Sequence, residues 1–277
     1  MERWSGRVAL VTGASIGIGA AIATELVKHG VIVVGLARRV EMIQELSREL
    51  HMYPGKLHAV KADLSKEEDI LEAFTWVKDN LGGVDILVNN AGVISFNRLV
   101  DAPSCEWRQA YSIHVIAPSI CVREAFRSMK DRGVDDGHIV NILSITTNHS
   151  PELQPIIMYF ASKQSLRVLT EGLRRELVQL NSKIRVTGIC PGLVDTLEDT
   201  ASPEERDLIQ GKPSLHSEDV AQALIFALSA PSHVQVGLAY RYSESASLFV
   251  PIFTYEACGE ETASSVQVRG GETTALL

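Results

Sequence analysis

Short runs of mostly apolar residues recur along this chain, separated by longer stretches in which apolar side chains return every three or four positions. The runs are Val8-Ala9-Leu10-Val11, Val31 to Leu36, Leu57-His58-Ala59-Val60, Val84-Asp85-Ile86-Leu87-Val88, Gly137 to Ser144 and Ile184 to Ile189. A strand that is apolar at consecutive positions is covered on both faces, the usual condition of a parallel sheet. The stretches between have helical spacing: Ala20 to His29, a segment beginning near Lys66, about Pro103 to Arg132, a segment through Tyr159 to about Leu180, and Ser217 to Ser229. Strands alternating with helices, with no break in composition before about residue 237, predict an α/β fold: one Rossmann-type doubly wound parallel sheet with helices on both faces. The expected division is one domain over residues 1–237 and an atypical extension over residues 238–277.

In an open sheet of this kind ligands bind at the carboxyl ends of the strands. The first strand runs into Thr12-Gly13-Ala14-Ser15-Ile16-Gly17-Ile18-Gly19 and then a helix. Glycines at 13, 17 and 19 allow a tight turn and bring backbone N–H groups close to a pyrophosphate at the positive end of the helix dipole. The second strand ends at Ala37-Arg38-Arg39. An NAD site needs an acidic side chain here for the ribose 2′-hydroxyl, whereas Arg38 supplies a planar cationic fork suited to a 2′-phosphate, so NADP is expected. Asp63, before Leu64 at the end of the third strand, is placed either to accept a hydrogen bond from an adenine amine or to cap the turn that follows. Asn89-Asn90-Ala91-Gly92 suits a bend that leaves backbone close to a cofactor, and Ser144 sits at the tip of the fifth strand.

Tyr159 and Lys163 lie one turn apart if their segment is helical. A free phenol loses its proton near pH 10, and a neighbouring ammonium favours the phenolate, so the pair is expected to pass a proton to or from an alcohol or carbonyl oxygen.

The totals narrow the partners. With 277 residues, the net charge of -8 argues against a nucleic-acid or anionic-membrane surface and leaves room for a local basic site. No run reaches transmembrane length, and the start, Met1 to Arg7, has no apolar signal core. The four cysteines, Cys105, Cys121, Cys190 and Cys258, show neither metal spacing nor disulfide-scaffold density, and a cytoplasmic setting is expected.

Taken together, these residues resemble the short-chain dehydrogenases/reductases. The similarity spans roughly residues 5–237 and joins, in order, Thr12-Gly-x-x-x-Gly17-x-Gly19, Asp63, Asn89-Asn-Ala-Gly92, Ser144 with Tyr159-x-x-x-Lys163, and Pro191-Gly192. By that resemblance Tyr159 is the acid/base, Lys163 binds the nicotinamide ribose and lowers the tyrosine pKa, and Ser144 orients the substrate oxygen. The resemblance implies NADP contacts at Gly13, Ser15, Ile16, Gly17, Ile18, Gly19, Arg38, Arg39, Asp63, Leu64, Asn90, Ala91, Gly92, Tyr159, Lys163, Pro191, Gly192, Val194 and Thr196. It also implies a homodimer or homotetramer, built through the helix carrying Tyr159 and its long neighbour. Further stretches, among them Met1-Glu2-Arg3-Trp4 and Val134-Asp135-Asp136-Gly137-His138-Ile139, look like the subgroup of insect NADP-dependent farnesol dehydrogenases and vertebrate dehydrogenase/reductase member 11. The expected reaction is therefore farnesol to farnesal, with a steroid or other hydrophobic carbonyl as the alternative substrate.

Two departures stand out. The family's fourth catalytic residue is an Asn holding a water that links the lysine to solvent; here Ile113-His114-Val115 puts His114 in its place. A neutral imidazole both donates and accepts, which would keep the relay. A ring that takes up charge beside Lys163 would impair it and leave an NADP-binding protein without turnover. The second departure is the C-terminus. The subgroup usually adds one strand after Gly237 and stops, whereas this chain continues through Leu248 to Phe253 into a Gly/Ser/Thr/Glu-rich tail. A seventh strand is not assured, the tail beyond about Cys258 is expected to be disordered, and residues 197–216 are expected to form a mobile lid.

Overall fold

The computed structural model of the chain describes residues 1–145, 156–196, 211–241, 253–257 and 264–266. After a single 3-10 turn at Glu2–Trp4, the elements are β1 (Val8–Thr12), α1 (Gly17–Lys28), β2 (Ile32–Ala37), α2 (Val40–Glu49), β3 (Lys56–Lys61), α3 (Glu67–Leu81) and β4 (Ile86–Asn89). There follow α4 (Ser104–Tyr111), a π turn at Ser112–Ile116, α5 (Ala117–Asp131), β5 (His138–Ile142), α6 (Ile157–Gln179) and β6 (Arg185–Pro191). Last come α7 (Ser217–Ser229), β7 (Val234–Val236), β8 (Leu238–Arg241), β9 (Phe253–Ala257) and β10 (Ser264–Val266).

The main sheet has the order β3-β2-β1-β4-β5-β6-β8, and its pairs are parallel throughout. The strand order reverses between β1 and β4, so their carboxyl ends diverge there and leave a crevice. Alternate residues of the strands point to opposite faces. Ala9, Val11, Val33 and Val88 join one core with Ile22 and Leu26 of α1 and Leu224 and Leu228 of α7. Val8, Leu10, Val34 and Leu87 join the other with Ile70 and Val77 of α3 and Cys121 and Met129 of α5. Consecutive apolar residues in β1 are thus explained by two buried faces.

The seventh strand forms: β8 pairs with β6 from Gly188↔Leu238 to Pro191↔Arg241, so the sheet runs past Gly237 to Arg241. Beyond it, β9 pairs antiparallel with β7 and with β10 in a separate sheet, β10-β9-β7. Of the tail for which the sequence predicts disorder, Ser264–Val266 is this strand and the rest lies outside the described residues. Most of the expected lid, residues 197–210, also lies outside them. What is described of its end forms a bridge, Val194↔Leu215, closed by Asp195 N–H to Leu215 O at 2.9 Å and Leu215 N–H to Leu193 O at 2.8 Å.

The long helix expected over Pro103 to Arg132 is interrupted. Pro118 has no N–H, so the carbonyl of His114 loses its ordinary α-helical donor and is crowded by the ring. The ladder widens there: Ala117 N–H donates to Ser112 O, five residues back, and the Ser119 hydroxyl bonds Val115 O at 2.7 Å.

The end of the sheet away from the crevice is closed by the first residues of the chain. Trp4 is 1% exposed, and its indole N–H donates to Leu228 O, at the end of α7, at 2.9 Å. The guanidinium carbons of Arg3, Arg7 and Arg185 lie 4.9, 5.6 and 6.0 Å from its ring centre. His138 and Arg185, register partners on β5 and β6, are buried beside it.

Candidate active site

The glycine loop follows β1 at the crevice. Gly13 and Gly17 have positive φ (+67° and +55°), which a side-chain-bearing residue adopts only with strain. Two of the glycines are also required by the protein's own packing: a Cβ on Gly13 would stand 2.9 Å from Ala91 Cα, and one on Gly19 would stand 2.1 Å from Gly13 O and 2.5 Å from the Asn90 side-chain nitrogen. That nitrogen bonds Thr12 O at 2.9 Å and Gly13 O at 3.2 Å, while the Thr12 hydroxyl accepts from the N–H groups of Asn90 and Ala91 at 3.0 and 3.1 Å. Asn90 and Ala91 therefore lock the end of β4 against the loop. The first residue flanking α1 is Ile16, which offers no side-chain cap, so the first N–H groups of that helix lack a side-chain acceptor and stand open to an anion. Ser15, Ile16 and Ile18 are half-buried around them.

The other predicted cofactor residues collect along the same edge. Arg38 and Arg39 are exposed just after β2. Asp63 follows β3, and its carboxylate oxygen Oδ1 accepts from Ser65 N–H at 3.0 Å and Ser65 Oγ at 2.8 Å. Those bonds, with Arg38 and Lys66 adding attraction, hold the carboxyl below its usual range. The turn-capping role weighed for Asp63 is thus present, through one oxygen. Leu64 beside it is buried. After β6, the segment from Pro191 through Gly192 and Val194 to Thr196 passes over the glycine loop, with Thr196 Cγ2 3.1 Å from where a Gly17 Cβ would stand.

Tyr159 and Lys163 are on the first turns of α6, and Ser144 follows β5. A side-chain hydrogen bond joins Ser144 to Tyr159. Lys163 is 4% exposed, and its ammonium donates to Ile142 O at 2.8 Å, which leaves two N–H groups for other acceptors. Burial lowers its pKa to about 8. The tyrosine departs from expectation. Its phenol is pushed up rather than down, because burial disfavours the phenolate more than the Ser144 bond favours it. Lys163 approaches the ring, 5.9 Å from its centre, without bringing the phenol below its ordinary value.

His114 is fully buried within the π turn, edge-on to Tyr159 with ring centres 5.5 Å apart. Val93 N–H donates to its Nε2 at 3.0 Å, and its Nδ1 lies 2.8 Å from Ser162 Oγ. Burial, then the charge of Lys163, lowers its pKa to about 2, so the ring is neutral. Beneath this cluster runs a buried chain with no sequence signature: Asn89 to Asn141 Oδ1 at 2.9 Å, Asn141 to Thr170 Oγ1 at 2.8 Å, and Thr170 to Leu166 O at 2.7 Å. It ties β4, β5 and α6 together. Ser162 likewise carries no motif signal of its own beyond adjoining Lys163.

A small cleft opens beside Tyr159. Val93, Ile94, Ala110, Met158 and Trp107 give it an apolar wall, and Ser95, Asn97, Glu106 and Gln109 a polar rim. A larger cavity of about 260 Å³, lined by Arg167, Glu171, Arg174, Arg175 and Leu238 among others, touches none of Ser144, Tyr159 or Lys163 and is not part of this site.

Comparison with known proteins agrees with the geometry. The chain is 47% identical over 245 residues to dehydrogenase/reductase SDR family member 11 of Gallus gallus, covering 86% of this chain and 96% of that one. It is 44% identical over 239 residues to farnesol dehydrogenase of Aedes aegypti, covering 85% and 95%. Among solved structures it resembles L-sorbose reductase from Gluconobacter frateurii complexed with NADPH and L-sorbose, with a TM-score of 0.78 and 27% identity over 90% of this chain and 100% of that one. The profile of the short chain dehydrogenase family matches residues 7–207. With that match carried by the same crevice, glycine loop and Tyr159–Lys163 helix, the chain belongs to the short-chain dehydrogenases.

Proposed function

We propose that this protein is a cytoplasmic, homo-oligomeric NADP(H)-dependent oxidoreductase that interconverts an apolar alcohol and its aldehyde or ketone, with farnesol and farnesal as the leading pair. The observation that carries the reading is the convergence of Tyr159, Ser144 and Lys163 at the mouth of a crevice whose glycine loop leaves a helix N-terminus uncapped. The glycine-loop N–H groups fit a pyrophosphate, and Arg38, exposed beside Asp63, fits a 2′-phosphate. Pro191 to Thr196 would lie against the nicotinamide half. The apolar wall of the cleft beside Tyr159 supports a hydrophobic substrate, as does the 44% identity to a farnesol dehydrogenase.

Bound NADP(H) would accept or supply the hydride; the remaining work falls to side chains of this chain. Ser144 and Tyr159 hold the substrate oxygen from two sides. Tyr159 passes the proton: a phenol kept protonated by burial is a competent acid toward a carbonyl oxygen. In the oxidative direction it must give up that proton beforehand, which the Ser144 bond and the Lys163 charge favour. Lys163 is held by Ile142 O with donors left for ribose hydroxyls.

The test is the initial rate of NADPH formation with farnesol and NADP, for the native protein and Tyr159→Phe. The expected result is turnover in the native protein and a loss of about 10²–10⁴-fold in the variant, with NADPH still bound by fluorescence titration. NADPH binding without turnover of farnesol, a steroid panel or other hydrophobic carbonyls would instead point to a nucleotide-binding protein without catalysis.

A further inference from the structure

We propose that the cavity behind α6 is a second ligand site, and that it takes a small oxyanion: a carboxylate or phosphate group on a compact body. It lies apart from Ser144, Tyr159 and Lys163, so the inference stands independently of the enzyme reading.

The cavity, of about 260 Å³, is bounded on one side by the middle of α6 and on the other by β6 and the stretch from β7 into β8. That is room for on the order of ten non-hydrogen atoms. Arg167, Glu171, Arg174 and Arg175 follow the helical spacing of three and four residues, so they share one face of α6 and meet at the cavity. In a chain whose net charge is -8, this lining carries three guanidinium groups against one carboxylate. A concave wall of low dielectric concentrates the field of such a cluster.

The bonds already made decide what the wall can offer a ligand. Glu171 accepts from Arg174 Nε and Nη2, both at 2.9 Å, and from Arg175 Nε at 2.8 Å, so both of its oxygens are taken. Gln235 Nε2 gives its hydrogens to Val186 O and Val236 O, and its Oε1 accepts from Val186 N–H at 3.3 Å. Thr170 gives its hydrogen to Leu166 O and accepts from Asn141. Arg167 and Arg174 are engaged with other groups of the chain as well, and what they bring to the cavity is charge. Arg175 brings donors: its Nε is bonded to Glu171, and among the described residues its two Nη groups make no hydrogen bond. A ligand that must donate therefore finds no open carboxylate. One that accepts and is negatively charged finds guanidinium hydrogens in the planar fork that carboxylates and phosphates match. Val186 and Leu238 add an apolar side for a short hydrocarbon body.

The experiment titrates sodium phosphate and, separately, sodium glutarate into the full-length protein by calorimetry, with NADPH present to fill the crevice and sodium chloride holding the ionic strength constant. Binding at millimolar affinity or tighter is expected. Arg175→Gln should weaken it about tenfold, and Glu171→Gln, which releases guanidinium donors, should strengthen it about threefold or more. Hydrogen exchange should slow on adding the anion in the peptides covering residues 167–175 and 234–238, and stay as it was in the glycine loop. Tighter binding of glutarate assigns the ligand to organic carboxylates lying against Val186 and Leu238, and tighter binding of phosphate to phosphate esters; either supports the site. Binding of neither anion would overturn it, and so would binding that Arg175→Gln and Glu171→Gln leave unchanged. Arg38→Gln is the control for the nucleotide crevice: an anion lost in that variant alone is held there, and the proposal fails. None of these arms reads turnover, so an inactive protein would sink the enzyme reading without touching this one.

Discussion

At the scale of single residues, the site is built by placing groups where they are uncomfortable. Lys163 is an ammonium with 4% of its surface exposed, and burial brings its pKa from 10.5 to about 8. Keeping it charged in the folded protein at pH 7 costs on the order of 3 kcal/mol. Lys163→Met removes that cost and strands Ile142 O, a loss of about 1–2 kcal/mol. The variant is therefore expected to be more stable than the native protein by about 1–2 kcal/mol at pH 7, and inactive. The sign follows from protonation: between pH 8 and 10.5 the unfolded lysine keeps a proton that the folded one has lost, so native stability rises through that window and the advantage of the variant fades. Urea unfolding at pH 7 and pH 10 measures both ends; a variant less stable at pH 7 would show the ammonium is better accommodated than its surroundings indicate. Tyr159 shows where reading residues one at a time fails. Tyr-x-x-x-Lys spacing correctly places an ammonium near a phenol, but the direction of the phenol's pKa is decided by burial, which spacing does not encode.

At the scale of elements, most of the framework was legible. Apolar runs gave the six strands from β1 to β6 and helical spacing gave α1 and α7, since two-sided burial and one-sided burial leave different periods in a sequence. The break at Ser112–Ile116 was not read, although Pro118, midway along the expected helix, was its visible sign: a proline inside a helical pattern breaks the ladder just before it. The glycine loop was legible as a tight strand-to-helix turn, and two of its glycines answer to the protein's own backbone. Gly19→Ala would drive a Cβ to 2.1 Å from Gly13 O. The expected loss is about 1–3 kcal/mol with weakened cofactor binding. By contrast, Gly172→Ala, exposed within α6 with nothing in the way of a Cβ, should gain about 0.5–1 kcal/mol. Thermal unfolding of the two variants, with NADPH titration, separates the cases; a neutral Gly19→Ala would mean the loop can open without loss.

At the scale of the whole molecule, two buried neutral histidines set the response to acid. His114 and His138 have pKa values lowered to about 2 and about 3, mainly by burial, against 6.5 when unfolded. Their contribution is whole above pH 6.5 and is lost as pH falls toward those values, so between pH 7 and pH 5 stability should drop by on the order of 4 kcal/mol. His138→Gln, which can keep the bond to Thr187 Oγ1, should remove about half of that slope in urea titrations at the two pH values; an unchanged slope would assign the acid response to other groups. His138 lies in the floor that Trp4 closes, and that floor has a consequence for the order in which the protein is made. Leu228, whose carbonyl the Trp4 indole needs, is made 224 residues after Trp4. At ordinary rates of synthesis the interval is on the order of 10–45 s. For most of that time the tryptophan lacks the partners that cover it, since His138 and Arg185, which open β5 and β6, are themselves made late in the interval. The surroundings of Trp4 thus stay open until α7 is made, and a product that stops short of α7 would leave them so.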